Sequence, residues 1–279
     1  MIAVENVRQQ SIRNHYQLGT VFYRLLWEPH IHHALWEADE SVYEAQCHLT
    51  DALAELAQLQ AGDSIVDIGC GMGGSSIRLA KRRDCHVTGV TISPLQCRWA
   101  QTASRINRVG RKTHFVAADA ERVEFEPGSF DCVWSIECTE HLFDKPAFFE
   151  KAAGWLRPGG RIAVCVWFEG EAPDSPDHDA LCRQVCERFV CPSLGTGEDY
   201  CGWMTDNGLE IEYRVDWTQR VMRTWEICKR RVQRTGVRHL AKWLDREQVD
   251  FIDGFDTLLE AYRSGAMQYG AIVARKPTL

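Results

Sequence analysis

Two short segments carry residues arranged for chemistry. The first is Val66-Asp67-Ile68-Gly69-Cys70-Gly71-Met72-Gly73-Gly74, which joins the apolar run SIVDIG (64–69) to the helical pattern SSIRLAKR (75–82). Glycines at such a junction let the chain turn tightly and bring its backbone close to a ligand. Gly69, Gly71 and Gly74 satisfy the dinucleotide fingerprint G-x-G-x-x-G. A dinucleotide also needs an acid about 20 residues further on for its ribose, or a basic group for a 2′-phosphate. Thr91-Ile92-Ser93 stands at the end of the next strand instead. Asp67, just ahead of the glycines, is placed to orient the turn and to face the ammonium of an amino-acid ligand. The second segment is Glu137-Cys138-Thr139-Glu140-His141, directly after a strand-like run. A neutral imidazole suits proton removal near neutral pH, which makes His141 a candidate general base. Glu140 either orients His141 or is the base itself. The alternative is that the pair caps the following helix and braces the site.

Other reactive side chains read differently. His30, His32 and His33 resemble a metal cluster, but HxHH lacks a further ligand in context, so no metal is expected. They are read as lid residues, His30 and His32 sharing a face and one of the three a candidate substrate contact. Twelve cysteines include no CxxC pair. Cys85, Cys132 and Cys165 lie beside or within apolar strands, as small core residues kept reduced in the cytoplasm. Cys182 and Cys186 lie one helical turn apart without a second pair, so zinc is not expected.

The elements that must position these groups alternate. Strand-like runs at 64–69, 86–92, 113–119, 130–137 and 160–168 are interleaved with helical patterns at 75–82, 94–107 and 148–156. Such alternation predicts an α/β, doubly wound, Rossmann-like, mostly parallel sheet covered on both faces. LEIEYRVDWT (209–218) and QYGAIVARK (268–276) add two strands, with a helical stretch between them. The expected sheet is seven-stranded with its last strand antiparallel. The first sixty residues look helical and are rich in aromatics (Tyr16, Phe22, Tyr23, Trp27, Trp36, Tyr43). The expected organisation is therefore a helical cap over 1–60, a nucleotide-binding core over 61–168, and a C-terminal half over 169–279 with a helical insertion on the substrate side.

Composition narrows the partners. With 45% hydrophobic and 25% charged residues the chain reads as an ordinary globular protein. Net charge is −7, and the most basic stretch, Arg220 to Arg238, is interleaved with Trp225, Ile227, Val232 and Val237. That is the solvated face of a helix, so a nucleic-acid partner is not expected. The opening MIAVENVRQQSIRN has no basic region followed by an apolar run, and no apolar stretch approaches eighteen residues. Neither a secretory signal nor a membrane span is expected, and the expected location is the cytoplasm.

The motifs carry a resemblance. D-x-G-x-G-x-G at Asp67, Gly69, Gly71 and Gly73 resembles the first motif of class I methyltransferases, and Leu156-Arg157-Pro158-Gly159-Gly160 resembles their helix-to-strand turn. Val87-Thr88-Gly89-Val90-Thr91-Ile92-Ser93-Pro94-Leu95-Gln96 is similar to a run shared by tocopherol, sterol and cyclopropane-forming methyltransferases. Tyr16, the stretch from Phe22 to Trp36, Asp216-Trp217-Thr218 and residues 261–277 are similar to the tocopherol group. The resemblance implies S-adenosylmethionine as cofactor. It places Thr91, Ile92 and Gln96 beside the ribose, Asp119 and Ala120 at the adenine, and Tyr16 at the carboxylate. Asp67, Gly69, Gly71 and Glu137 complete the implied cofactor-binding set.

The function implied is methyl transfer to a small, largely apolar natural product, at carbon or oxygen, the acceptor being prenylated, aromatic, terpenoid or alkaloid. In-line displacement asks chiefly for alignment, worth on the order of 7–11 kcal/mol in favourable intramolecular cases, and for exclusion of water by the lid. Trp27, Trp36, Trp217, Trp225 and Trp243 are expected mostly in packing, with an aromatic acceptor pocket as the functional reading. Three alternatives stay open: a lipid, sterol or cyclopropane-type methyltransferase, an NAD(P)-dependent oxidoreductase, and a non-catalytic binding module. Oligomeric state stays open too, since the aromatic N-terminal helix covers either its own site or a neighbour's.

Overall fold

A computed structural model describes residues 1–26, 30–171, 176–235 and 246–278. Trp27, Val237, Arg238 and Trp243 lie outside the described residues, as do the side chains of Phe22 and Tyr23. The strands are β1 (Ile2–Ala3), β2 (Ser64–Ile68), β3 (His86–Thr91), β4 (Thr113–Ala117), β5 (Phe130–Ile136), β6 (Leu156–Glu169), β7 (Ser193–Leu194), β8 (Glu210–Asp216) and β9 (Met267–Arg275). The helices are α1 (Gln9–Leu26), α2 (Val42–Leu56), α3 (Gly74–Arg82), α4 (Pro94–Ile106), α5 (Lys145–Trp155), α6 (Pro176–Arg188), α7 (Gly197–Thr205), α8 (Thr218–Val221), α9 (Arg223–Thr235) and α10 (Arg246–Ser264).

Seven strands form one sheet in the order β4-β3-β2-β5-β6-β9-β8. Strands β2 to β6 pair in parallel, and β9 runs antiparallel to both of its neighbours. The expected doubly wound sheet, with its last strand reversed, is what the chain forms. The chain's order reverses between β2 and β5, and such a switch point opens a crevice at the carboxyl ends of parallel strands.

Alternation along each strand splits the core into two layers. In β6, Ala163, Cys165 and Trp167 pack on one face, and Ile162, Val164, Val166 and Phe168 on the other. Cys132 follows the same rule on β5, so these thiols are small core residues. The alternation also aims Trp167 from the carboxyl end of β6 towards the side covered by the cap.

The cap departs from expectation. Residues 30–41 are not helical, because their backbone groups bond to other elements. Leu35 N donates to the Ala45 carbonyl at 2.9 Å, Trp36 N to the Arg220 carbonyl at 3.1 Å, and Ala34 N to Thr224 Oγ1 at 3.0 Å. The segment is thereby stitched between α2 and α9. The pairing of β1 with β7 was not legible in the sequence. No helix among the described residues is long and apolar enough to cross a membrane.

Candidate active site

Caps and turns fix the first polar groups. Ser93 caps α4 by accepting from Gln96 N at 3.3 Å, with Pro94 opening the helix. This places the Gln96 side chain beside the end of β3, where Thr91 Oγ1 donates to Gln96 Oε1 at 3.1 Å. The amide oxygen is thus occupied, and Gln96 Nε2 is buried without a hydrogen-bond partner. Gly69 has φ of +80°, and a Cβ there would overlap the Cys138 side chain, so only glycine fits.

These groups line a cavity of about 750 Å³ at the carboxyl ends of the strands. Of the ten residues implied as cofactor contacts, nine are in its wall: Tyr16, Gly69, Gly71, Thr91, Ile92, Gln96, Asp119, Ala120 and Glu137. Asp67 is not. It lies behind the glycine turn, buried, with Oδ2 accepting from Ser76 Oγ, and burial pushes its carboxyl up to about 7. It orients the turn from below and does not face into the cavity. The sequence missed Gln9, Ile12 and Ile31 on the cap side, and Cys138, Leu142 and Phe143 on the core side. Gln9 Nε2 donates to Asp119 Oδ2 while Glu121 N donates to Asp119 Oδ1 at 3.0 Å, so the cap is tied to the acid expected at the adenine.

A second cavity of about 460 Å³ adjoins the first, and Tyr16, Ile31, Glu137 and His141 line both. Its remaining wall is largely aromatic: His15, Trp167, Phe189, Trp225 and Phe251, with His32, Glu140 and Cys191. Phe189, Trp225 and Phe251 pack edge-to-face at 5.3–5.4 Å between ring centroids. No lysine or arginine lines either cavity among the described residues.

Glu137 stands where the cavities meet. Its backbone φ is +52°, a strained value for a side-chain-bearing residue and one that clusters at functional sites. One oxygen, Oε1, accepts from His33 N at 2.7 Å and from Tyr269 OH at 2.8 Å, and His33 Nδ1 lies 3.0 Å away as an ion-pair contact. Burial pushes this carboxyl up, but His33 and its hydrogen bonds outweigh burial and hold it below the usual range. Trp225 Nε1 donates to His33 Nε2. An indole N–H can only donate, so His33 Nε2 is the acceptor and Nδ1 faces the carboxylate.

His141 has a similarly determined tautomer. Its Nδ1 lies 3.1 Å from the Val190 carbonyl, which only accepts, so Nδ1 carries the proton. Nε2 is then the acceptor, 2.7 Å from Tyr16 OH. Burial depresses the imidazole to about 4, leaving it neutral at ordinary pH. Glu140 does not touch it. Glu140 Oε1 accepts from Trp167 N at 2.7 Å, Oε2 is buried without a hydrogen-bond partner, and burial raises the carboxyl to about 8. Two expectations are corrected here: the Val190 carbonyl orients His141, and Asp144, accepting from Ala147 N at 3.0 Å, caps α5. The turn is held instead by buried Lys145, whose Nζ donates to Leu142 O at 2.8 Å, Glu140 O at 3.4 Å and Ser193 Oγ at 2.7 Å.

The three cap histidines do not converge. His30 Nδ1 and His32 Nε2 lie 3.1 Å apart, His32 Nδ1 donates to the His33 carbonyl at 2.6 Å, and the His33 ring turns towards Trp225 and Tyr262.

The donor set fits a nucleoside bearing an amino acid. Gln96 Nε2 is an orphaned donor on the cavity wall, Gly71 leaves open space at the glycine turn, and among the described residues the wall holds no lysine or arginine that would select a 2′-phosphate.

Comparisons with known proteins agree. The family model described as mycolic acid cyclopropane synthetase matches residues 4–254. The chloroplastic tocopherol O-methyltransferase of Arabidopsis thaliana is 29% identical, covering 96% of this chain and 82% of its own. The 27-O-demethylrifamycin SV methyltransferase of Amycolatopsis mediterranei is 33% identical, covering 90% of this chain and 92% of its own. The structure of the cyclopropane synthase MmaA2 from Mycobacterium tuberculosis aligns with a TM-score of 0.85 at 21% identity, covering 98% of this chain and 100% of that one. The chain therefore belongs to the mycolic acid cyclopropane synthetase family and is an S-adenosylmethionine-dependent methyltransferase of small molecules.

Proposed function

We propose that the first cavity holds S-adenosylmethionine and that the second, aromatic cavity holds a small, largely apolar acceptor that enters uncharged. The observation that carries this is the shared wall of Tyr16, Glu137 and His141 between a cavity suited to a nucleoside and one lined by rings. Bound S-adenosylmethionine supplies an electrophilic methyl group. Gln96 and Thr91 hold the ribose, Asp119 and Ala120 meet the adenine, and the glycine turn admits the amino-acid portion. Ionised Glu137 and the ring faces favour positive charge at the junction. An acceptor anion finds no cation there. The proton therefore leaves during or after methyl transfer, to Nε2 of His141, directly or through Tyr16 OH. Both oxygen and carbon acceptors are compatible with that order; a pre-formed phenolate is disfavoured.

We further assign the protein to the cytoplasm, since all twelve cysteines are free and burial raises thiols such as Cys132 and Cys165. A nucleic-acid acceptor is disfavoured, because the second cavity is lined by rings and by the anionic Glu137, with no lysine or arginine among the described residues of its wall.

The test pairs calorimetric titration of S-adenosylhomocysteine with mass spectrometry of products from a panel of neutral aromatic and isoprenoid acceptors. Binding with methylation of neutral members supports the reading, and magnetic resonance of the product separates an added methyl from a cyclopropane. Binding with turnover confined to anionic or highly polar acceptors would overturn it.

A further inference from the structure

Outside the site, a basic stretch runs from the end of α3 through α4 and the loop that follows. Residues 78–112, which contain the end of α3 and all of α4, hold nine of the 32 lysines and arginines but one acid, Asp84, in a chain of net charge −7. Arg82, Arg98, Arg105, Arg108 and Arg111 are exposed and have no ion-pair partner among the described residues. The other four cations are engaged: Arg78 with Asp51, Arg83 with Glu55, Lys112 with Asp84, and Lys81 with Asn107.

The same surface holds exposed rings and an aliphatic side chain. Trp99 is 45% exposed, Ile106 75% and Tyr43 44%. On α4, Trp99, Thr102 and Ile106 are spaced i, i+3 and i+7, which places them on one helical stripe. They line a groove of about 1120 Å³ together with Tyr43, Lys81 and Arg82, and outside its wall Arg98 and Arg105 are exposed next to Trp99 and Ile106 on the same helix. The groove reaches the lid: His30 and Met72 are in its wall, and His30 is hydrogen-bonded to His32 of the acceptor chamber.

We infer that this groove is a peripheral docking surface for an anionic lipid bilayer. Charge complementarity selects the occupant's sign, and the apolar side chains select its kind. A soluble polyanion engages the arginines but gives Ile106 nothing to enter. A bilayer surface takes both, phosphate headgroups meeting the arginines while Trp99, Tyr43 and Ile106 enter the boundary between headgroups and acyl chains. Docking there brings the lid to the membrane, where an apolar acceptor concentrates. The surface is argued independently of the acceptor's identity, and its test reads binding rather than turnover.

The test is co-sedimentation of the full chain with phosphatidylcholine vesicles, with and without phosphatidylglycerol. The expected result is binding to the anionic vesicles alone, lost in high salt. At about fivefold per cation, the Arg82→Glu/Arg98→Glu/Arg105→Glu variant binds at least about a hundredfold more weakly. The Trp99→Ser/Ile106→Ser variant, with all charges intact, loses about tenfold or more. Both variants are surface changes, so unchanged melting and unchanged methylation of a water-soluble acceptor control for folding. Absence of binding to either vesicle, or equal binding to both, overturns the proposal. So does vesicle binding indifferent to the Trp99/Ile106 change, or tighter capture by duplex DNA or an acidic protein, which would mark a polyanion surface.

Discussion

The proposed cofactor pocket is walled mainly by turns that follow consecutive parallel strands, whereas the proposed acceptor chamber is walled by side chains from seven separated segments. In the first, Gly69, Thr91, Asp119 and Glu137 follow or end β2, β3, β4 and β5. In the second, His15, Ile31, Trp167, Phe189, Trp225 and Phe251 converge from both ends of the chain onto the Glu137–His141 turn. A ligand common to many enzymes is met by backbone geometry, which tolerates little change. A ligand particular to one enzyme is met by packed side chains, which can be exchanged without rebuilding the sheet.

The sharpest way to break the comparison is at the shared wall. His141→Ala is expected to cost about 10² to 10⁴ in turnover, the range of general-base catalysis, while S-adenosylhomocysteine binds within about twofold of the wild type. An equal loss of cofactor affinity would make His141 a brace of both cavities. Turnover close to wild type would remove it from the chemistry. Glu137→Gln should come next, because it removes a charge whose Oε1 gathers His33 N, His33 Nδ1 and Tyr269 OH. Loss of a charge-assisted group costs about 1.5–3 kcal/mol, so turnover falls by about 10- to 100-fold. Acceptors that pass through a cation should suffer most, and a uniform loss across acceptors would count against the electrostatic role. Gln96→Ala probes the other cavity alone. Losing one buried donor to the ribose should weaken S-adenosylhomocysteine about 5- to 10-fold and leave turnover at saturating cofactor unchanged. A change in acceptor KM would show that the two cavities are not separable.

What the sequence disclosed follows the same division. Glycine spacing, the Thr91–Gln96 run and the LRPGG turn are local patterns whose meaning survives without knowing the fold, because each sits in one βα connection. They led to nine residues that line the pocket. Asp67 is the exception outside the wall: the alternation along β2 determines whether a side chain points into the cavity or beneath it, and that is a question of register. The sheet was legible because buried parallel strands are near-continuous apolar runs. Phe189, in the turn after α6, and Phe251, on α10, gave no signal, since a lone aromatic looks the same whether it faces a core or a cavity. Lys145 gave none either. A buried lysine is rare, and only the structure shows its ammonium clamped on the carbonyls of Glu140 and Leu142 and on Ser193. The basic groove gave no signal for the converse reason: Lys81 and Arg82 of α3 meet Trp99 and Ile106 of α4 only in the fold.

The smallest expected effect concerns Glu140, a carboxyl raised by burial to about 8. A group whose folded form holds a proton that the unfolded chain releases makes stability fall as pH rises. The loss should begin near the ordinary glutamate value and continue through about 8, then level off. Buried His141 and His15, depressed to about 4 and about 3, act in the opposite sense and cost stability as pH falls below the ordinary histidine value. Glu140→Gln keeps the acceptor for Trp167 N and removes only the alkaline slope. Between pH 6 and 9 the wild type should lose roughly a few degrees of Tm more than the variant, with the acid limb unchanged in both. Parallel curves would mean that Glu140 ionises in the folded chain near its ordinary pKa, through water reaching Oε2. The chamber would then present a second anion beside Glu137, and its preference for uncharged acceptors would have to come from ring packing alone.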